Sequence, residues 1–114
     1  MRIIYFKTSS GREPVREYIQ ALPEADRIII TGDIELIQEY GIRNAPVITR
    51  KLKGKQFKGK LWELKTGTRH QQRIFYCLET MSFMILLHAC KKEKQGRQSK
   101  DLNVALKRMK EILS

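Results

Sequence analysis

Acidic residues are scarce in the second half of this chain: residues 50–114 hold five Asp and Glu against seventeen Lys and Arg, whereas residues 1–49 hold seven against six. Cysteine is scarce throughout. Cys77 and Cys90 have no neighbouring Cys or paired His to complete a zinc spacing, so neither a metal site nor a disulfide framework organises the chain, and two buried free thiols are expected. Long apolar runs are missing as well. No segment approaches the roughly 20 apolar residues of a membrane span, and the longest run, Phe83 to His88, reads as a strand. The N-terminus has no basic region followed by an apolar stretch and a small-residue cleavage site, so a cytoplasmic protein without a membrane partner is expected. GxxxxGKS/T, GxSxG, HExxH and a paired-carboxylate constellation are all absent from the sequence, which argues against nucleotide hydrolases and proteases.

What is present is positive charge with a polarity. A formal charge of +11 and a pI near 10.0 on 114 residues are the footprint of a protein that docks on phosphate, and the basic half is the surface that would do it. A chain of this length is expected to form one domain, residues 1–114, with a single core.

The pattern predicts an α+β fold. Arg2 to Phe6 is a β-branched and aromatic run broken by Thr8-Ser9-Ser10-Gly11. Pro14 suits a first helical turn, and Val15, Tyr18, Ile19 and Leu22 follow at helical spacing up to Pro23. Residues 23–40 read as a second helix with Ala25, Ile29, Leu36 and Tyr40 on one face, although Ile28-Ile29-Ile30-Thr31 and Gly32 leave a strand as the alternative. Residues 42–60, with Pro46, Gly54, Gly59 and Lys51, Lys53, Lys55, Lys58 and Lys60, read as an extended basic segment rather than a packed element. Leu61–Lys65, Arg73–Leu78 and Phe83–Cys90 then form three strands of an antiparallel meander. Ser99 can cap a last helix that buries Leu102, Ala105, Leu106, Met109, Ile112 and Leu113. The predicted order is βααβββα, with a two-helix N-terminal hairpin and a C-terminal helix.

Basic residues gather at the strand ends: Lys65, Arg73, Lys91, Lys92 and Lys94. Alternation puts Arg73 on the face of Phe75 and Cys77. An arginine among apolar neighbours is costly unless it meets an anion or a carboxylate, and Glu63 is the carboxylate that would give a purely structural ion pair.

Three segments, LKGKQFKGKLWELKTGTRHQQRIFYCLE, FMILLHACKKEKQ and SKDLNVALKRMKEIL, resemble in order and spacing the HigB-like, phage-derived branch of the RelE/ParE toxin superfamily. The most specific pieces are LWELK, RIFY and LLHACKK; the first forty residues match in architecture alone. The resemblance implies the toxin of a toxin–antitoxin pair, a ribosome-dependent endoribonuclease needing no metal or other cofactor, in which the 2′-hydroxyl of the messenger attacks its own adjacent phosphate. It implies catalytic roles for Arg73, Lys92 and Lys65, with Lys91 as the competing register of Lys92. Glu63 and His88 are candidates for proton transfer, although a core histidine with satisfied nitrogens is the plainer reading of His88, and His70 reads as surface. Lys51, Lys53, Lys55, Lys58, Lys60, Lys94 and Arg97 would hold RNA through its phosphates. The implied partners are the ribosome, mRNA and an antitoxin of helix-turn-helix type. One departure stands out: relatives carry an aromatic residue or histidine after the last strand, where this chain has Gln95-Gly96-Arg97-Gln98, so its chemistry rests on Lys and Arg or its activity is weak. The alternatives are a gyrase-inhibiting toxin of ParE type and an inactive binding module of the same fold; a plain duplex-DNA binder is weakest, without a helix-turn-helix signature.

Overall fold

A computed structural model describes residues 1–80, 82–92 and 99–113, with the backbone alone at Ser99. Strand β1, Arg2–Tyr5, leads into helix α1, Pro14–Gln20, whose Val15 and Ile19, four apart, are buried. Helix α2, Glu24–Tyr40, starts behind Pro23 with Glu24 and Asp26 in its first turn, where the positive end of the helix dipole favours carboxylates. Gly32 is accommodated inside it, and Gly41, at φ +82°, ends it. Four strands follow: β2 Ile48–Lys51, β3 Leu61–Thr66, β4 Gln72–Thr80 and β5 Phe83–Lys91, before helix α3, Ser99–Leu113.

The sheet is five-stranded and mixed, in the order β1-β5-β4-β3-β2. Strands β2 to β5 are antiparallel neighbours, while β1 runs parallel to β5. Helices α1 and α2 pack on one face through Val15, Ile19, Ile30, Ile34 and Ile37 against Leu64, Ile74, Tyr76, Met84 and Leu86. Helix α3 covers the other face, with Ala105 and Met109 against Leu61, Phe75, Cys77, Ile85 and Leu87. Strand β5 therefore lies between two apolar layers, which accounts for its unbroken apolar sequence.

Three expectations need correction. Residues 42–60 are not an unpacked segment: β2 pairs with β3, and Leu52 and Phe57 are buried, the latter at the end of a short 3-10 turn, Lys55–Phe57. Lysines at every second or third position hid two core anchors and a strand that completes the hydrogen bonds of the β3 edge. The order is accordingly βααββββα, and β1 makes the sheet mixed rather than a pure antiparallel meander. On α2 the buried stripe is Ile30, Ile34 and Ile37, whereas Ala25, Ile29 and Tyr40 are exposed. Three consecutive isoleucines fit more than one helical phase, and packing against the sheet selects between them.

Strand β5 also carries a bulge. Tyr76 pairs with Leu86 and Phe75 with His88, leaving Leu87 unpaired, so Leu87 and His88 both turn towards α3.

Candidate active site

Strand pairing lines up two rows of side chains on the α3 face. Arg50, Glu63, Phe75 and His88 stand opposite one another across β2 to β5, and Lys65, Arg73 and Cys90 form the next row towards the β3–β4 turn. Lys65 and Arg73 are thus direct cross-strand partners of like charge, an arrangement that destabilises a sheet unless an anion compensates it.

The resident anion is Glu63, whose side chain is 1% exposed. Its Oε2 accepts a hydrogen bond from Arg50 Nη2 at 2.9 Å. Its Oε1 lies 2.8 Å from Arg73 Nε, yet outside hydrogen-bonding geometry, so that contact is between charges rather than a directed bond. Arg73 is itself 5% exposed, and its Nη1 donates to the carbonyl of His70 at 2.6 Å. One carboxylate between two guanidinium groups leaves a positive remainder, to which Lys65, half-buried, adds.

Lys91 and Lys92 are both exposed and differ in direction. Lys91 pairs with Gln72, on the face where Tyr18 donates to Gln72 Oε1 at 2.6 Å. Lys92 follows it, its N–H bonded to the carbonyl of Gln71 at 2.6 Å, and alternation returns its side chain to the side of Arg73 and Cys90. Lys51, Lys53, Lys55, Lys58 and Lys60 are all exposed. Lys51 sits opposite Trp62, 5.7 Å from its ring, on the face away from Arg50. Lys94, Arg97, the Gln95–Gln98 stretch and the Ser99 side chain lie outside the described residues.

His88 is engaged on both sides of its ring. Nε2 is 2.7 Å from Asp101 Oδ1 on α3, and Arg108 Nη1 lies 3.4 Å from Nδ1 while donating to the Leu87 carbonyl at 2.8 Å. A guanidinium is only a donor, so Nδ1 accepts and the Nε2 proton points at Asp101. Burial lowers the pKa of Arg108. A ring nitrogen of His88, Cys90 Sγ and an Asp101 oxygen lie within 4.8 Å of one another, the donor types of a zinc site. Here they form a hydrogen-bonded cluster, and burial followed by the Asp101 charge pushes the Cys90 thiol up to about 12.

Three residues at this site escaped the reading of the sequence. Arg50 was invisible because its strand was. Asp101 and Arg108 are seven apart, hence on one helix face, and that spacing was the available signal. A family model described as "Phage derived protein Gp49-like (DUF891)" matches residues 17–110. No curated protein matches the chain.

Proposed function

We propose, from the premise that the chain belongs to the Gp49-like phage-derived protein family, itself part of the RelE/HigB-like toxin superfamily, that it is the toxin of a toxin–antitoxin pair and a ribosome-dependent endoribonuclease. The family is toxin-like and implies an antitoxin partner. The finer proposal is one RelE/HigB-like domain over residues 1–114, of the HigB-like branch, that cuts mRNA without a metal.

The observation that carries it is the Lys65–Arg73 pair: two cations opposed on neighbouring strands, with Lys92 on the same side and the Glu63 carboxylate between Arg50 and Arg73. A phosphate diester relieves that repulsion, and its pentavalent transition state, which bears more negative charge, relieves it further. Arg73 is held by Glu63 and the His70 carbonyl, so its donors are oriented before substrate arrives. Glu63 acts here as a positioning residue, since its carboxylate is buried between Arg50 and Arg73. The five exposed lysines of residues 51–60 would add sequence-independent contacts to ribosomal or messenger RNA phosphates.

A second reading has an observation of its own. The Arg73–Glu63 pair satisfies Arg73 without substrate, as a purely structural ion pair would in an inactive module that binds antitoxin alone. Inducible expression in bacteria separates the two, with growth and primer-extension mapping of translated messages for the wild type, Lys65→Gln and Lys92→Gln. These substitutions leave the buried pair intact, whereas Arg73→Ala also removes a structural partner. Growth arrest with new 5′ ends inside translated codons, lost in both variants, supports the nuclease. Arrest with intact messages points to gyrase, and no arrest from folded protein points to the inactive module.

A further inference from the structure

Cleavage by an internal 2′-hydroxyl needs a group that gives a proton to the departing 5′ oxygen, and neither Glu63 nor His88 is placed to give one. Glu63 is buried between two arginines, and both nitrogens of His88 face protein partners. The other imidazole is differently placed. His70 is exposed, at the end of the 3-10 turn Thr68–His70 that joins β3 to β4, and its ring makes no hydrogen bond to the described residues.

The backbone under it is unusual. Arg69 and His70 have φ of +56° and +54°, a left-handed conformation that residues other than glycine rarely adopt in succession. The turn is fastened on several sides. The Thr68 N–H donates to Asp26 Oδ1 at 2.8 Å, and the His70 N–H to the Gly67 carbonyl at 3.1 Å. At Gly67 a Cβ would come within 2.6 Å of Gln72 Cγ. Consecutive carbonyls then point at the basic cluster: that of His70 accepts from Arg73 Nη1 and that of Gln71 from the Lys92 N–H, each at 2.6 Å. Glycine at position 70 would carry no strain, whereas this chain has an imidazole there. Strain held in place by surrounding bonds, next to charged groups in search of an anion, is the mark of a working position.

We propose that His70 is the proton-transfer residue of this site. The inference rests on the endoribonuclease reading above. In the step it serves, the 2′ oxygen forms a bond to phosphorus as the bond from phosphorus to the 5′ oxygen breaks. The imidazolium of His70 gives its proton to that 5′ oxygen, and the 2′-hydroxyl proton passes to water. The products are a 2′,3′-cyclic phosphate and a 5′-hydroxyl, and His70 regains its proton from solvent.

The test is single-turnover cleavage of a defined mRNA on translating ribosomes between pH 5.5 and 8.5, with thermal melts, for the wild type, His70→Asn and His70→Gly. Both replacements tolerate the left-handed backbone, so they keep the turn and remove the acid. Both are expected to melt no lower than the wild type, to cleave about 100-fold more slowly, and to differ from the wild type in how the rate depends on pH. Wild-type cleavage with variants within threefold of it at every pH would overturn the role of His70 and leave the nuclease standing. A wild type that does not cleave removes the nuclease reading and this inference with it.

Discussion

Removing Arg73 from beneath α3 exposes the energetics of the buried charge cluster more directly than any change at the surface. The Glu63 carboxylate is 1% exposed and is served by Arg73, 5% exposed, and Arg50, 58% exposed. In Arg73→Ala, Oε1 loses the cation beside it and stays buried, a situation that costs about 3 to 5 kcal/mol. Against a total stability of roughly 5 to 15 kcal/mol, that is a large share. At about 4 °C per kcal/mol for a domain of this size, melting should fall by about 12 to 20 °C. Arg50→Ala removes a solvent-screened partner and should cost no more than about 1 kcal/mol. Replacing both buried partners with apolar residues, Glu63→Leu with Arg73→Met, removes the uncompensated charge along with the pair and should recover most of the loss. Urea unfolding followed by circular dichroism, with the double-mutant cycle completed, measures the coupling. A loss below about 1 kcal/mol for Arg73→Ala, or a double variant as unstable as the single, would refute the account of a desolvated pair.

Other consequences are separable from this one. Burial, then the charge of Glu79, pushes the Cys77 thiol up to about 11, and burial, then that of Asp101, pushes Cys90 up to about 12. Both native thiols should resist alkylation at pH 8 and react once the chain is unfolded. Because the folded state holds these protons more tightly than the unfolded chain, the thiols' contribution to stability should be constant below pH 9 and fall between pH 9 and about 12, as the unfolded thiols ionise before the folded ones; a melt series against pH checks the sign. Gly67→Ala puts a side chain at φ +79° and a Cβ 2.9 Å from Asp26 Oδ1, which should cost about 1 to 3 kcal/mol and speed hydrogen exchange at the Thr68 amide. Changing Lys53, Lys55 and Lys58 to Gln should weaken binding to single-stranded RNA, reduce the slope of log affinity against log salt by about 0.7 for each phosphate left without its lysine, and leave the melting temperature unchanged.

Much of this architecture can be read from residue order, for reasons that particular elements make plain. Alternation alone puts Arg73 with Phe75 and Cys77, because period two survives wherever a strand is long and regular. Helix α2 tolerates Gly32 because the Pro23 start and the Gly41 stop outweigh one weak residue. The failures share a different cause: information that resides in a partner element. Strand β2 exists because β3 has an open edge, and Leu52 and Phe57 are buried because a sheet and α3 are there to receive them. The phase of Ile28-Ile29-Ile30 is decided by the sheet beneath it. Arg50 becomes a site residue only through its register with Glu63, and Asp101 and Arg108 only through their contacts with β5.

The unpaired Leu87 has a further consequence for how this protein tolerates length changes. One additional residue in β5 acts as a phase shifter: upstream of it Met84 and Leu86 point to the α1 and α2 layer, and downstream Ala89 does so while Cys90 faces α3. Deleting Leu87 would restore an even beat, with Leu86 and His88 adjacent opposite Tyr76 and Phe75, and would leave every later residue on its present side. Ala89 and Cys90 would keep their layers and Lys92 its place beside Arg73, so the loss would be confined to the buried Leu87 side chain. The bulge thus absorbs one residue of length ahead of the basic end of the sheet, and a strand that kept all its residues but closed the bulge would instead turn Lys91 to the side of Arg73.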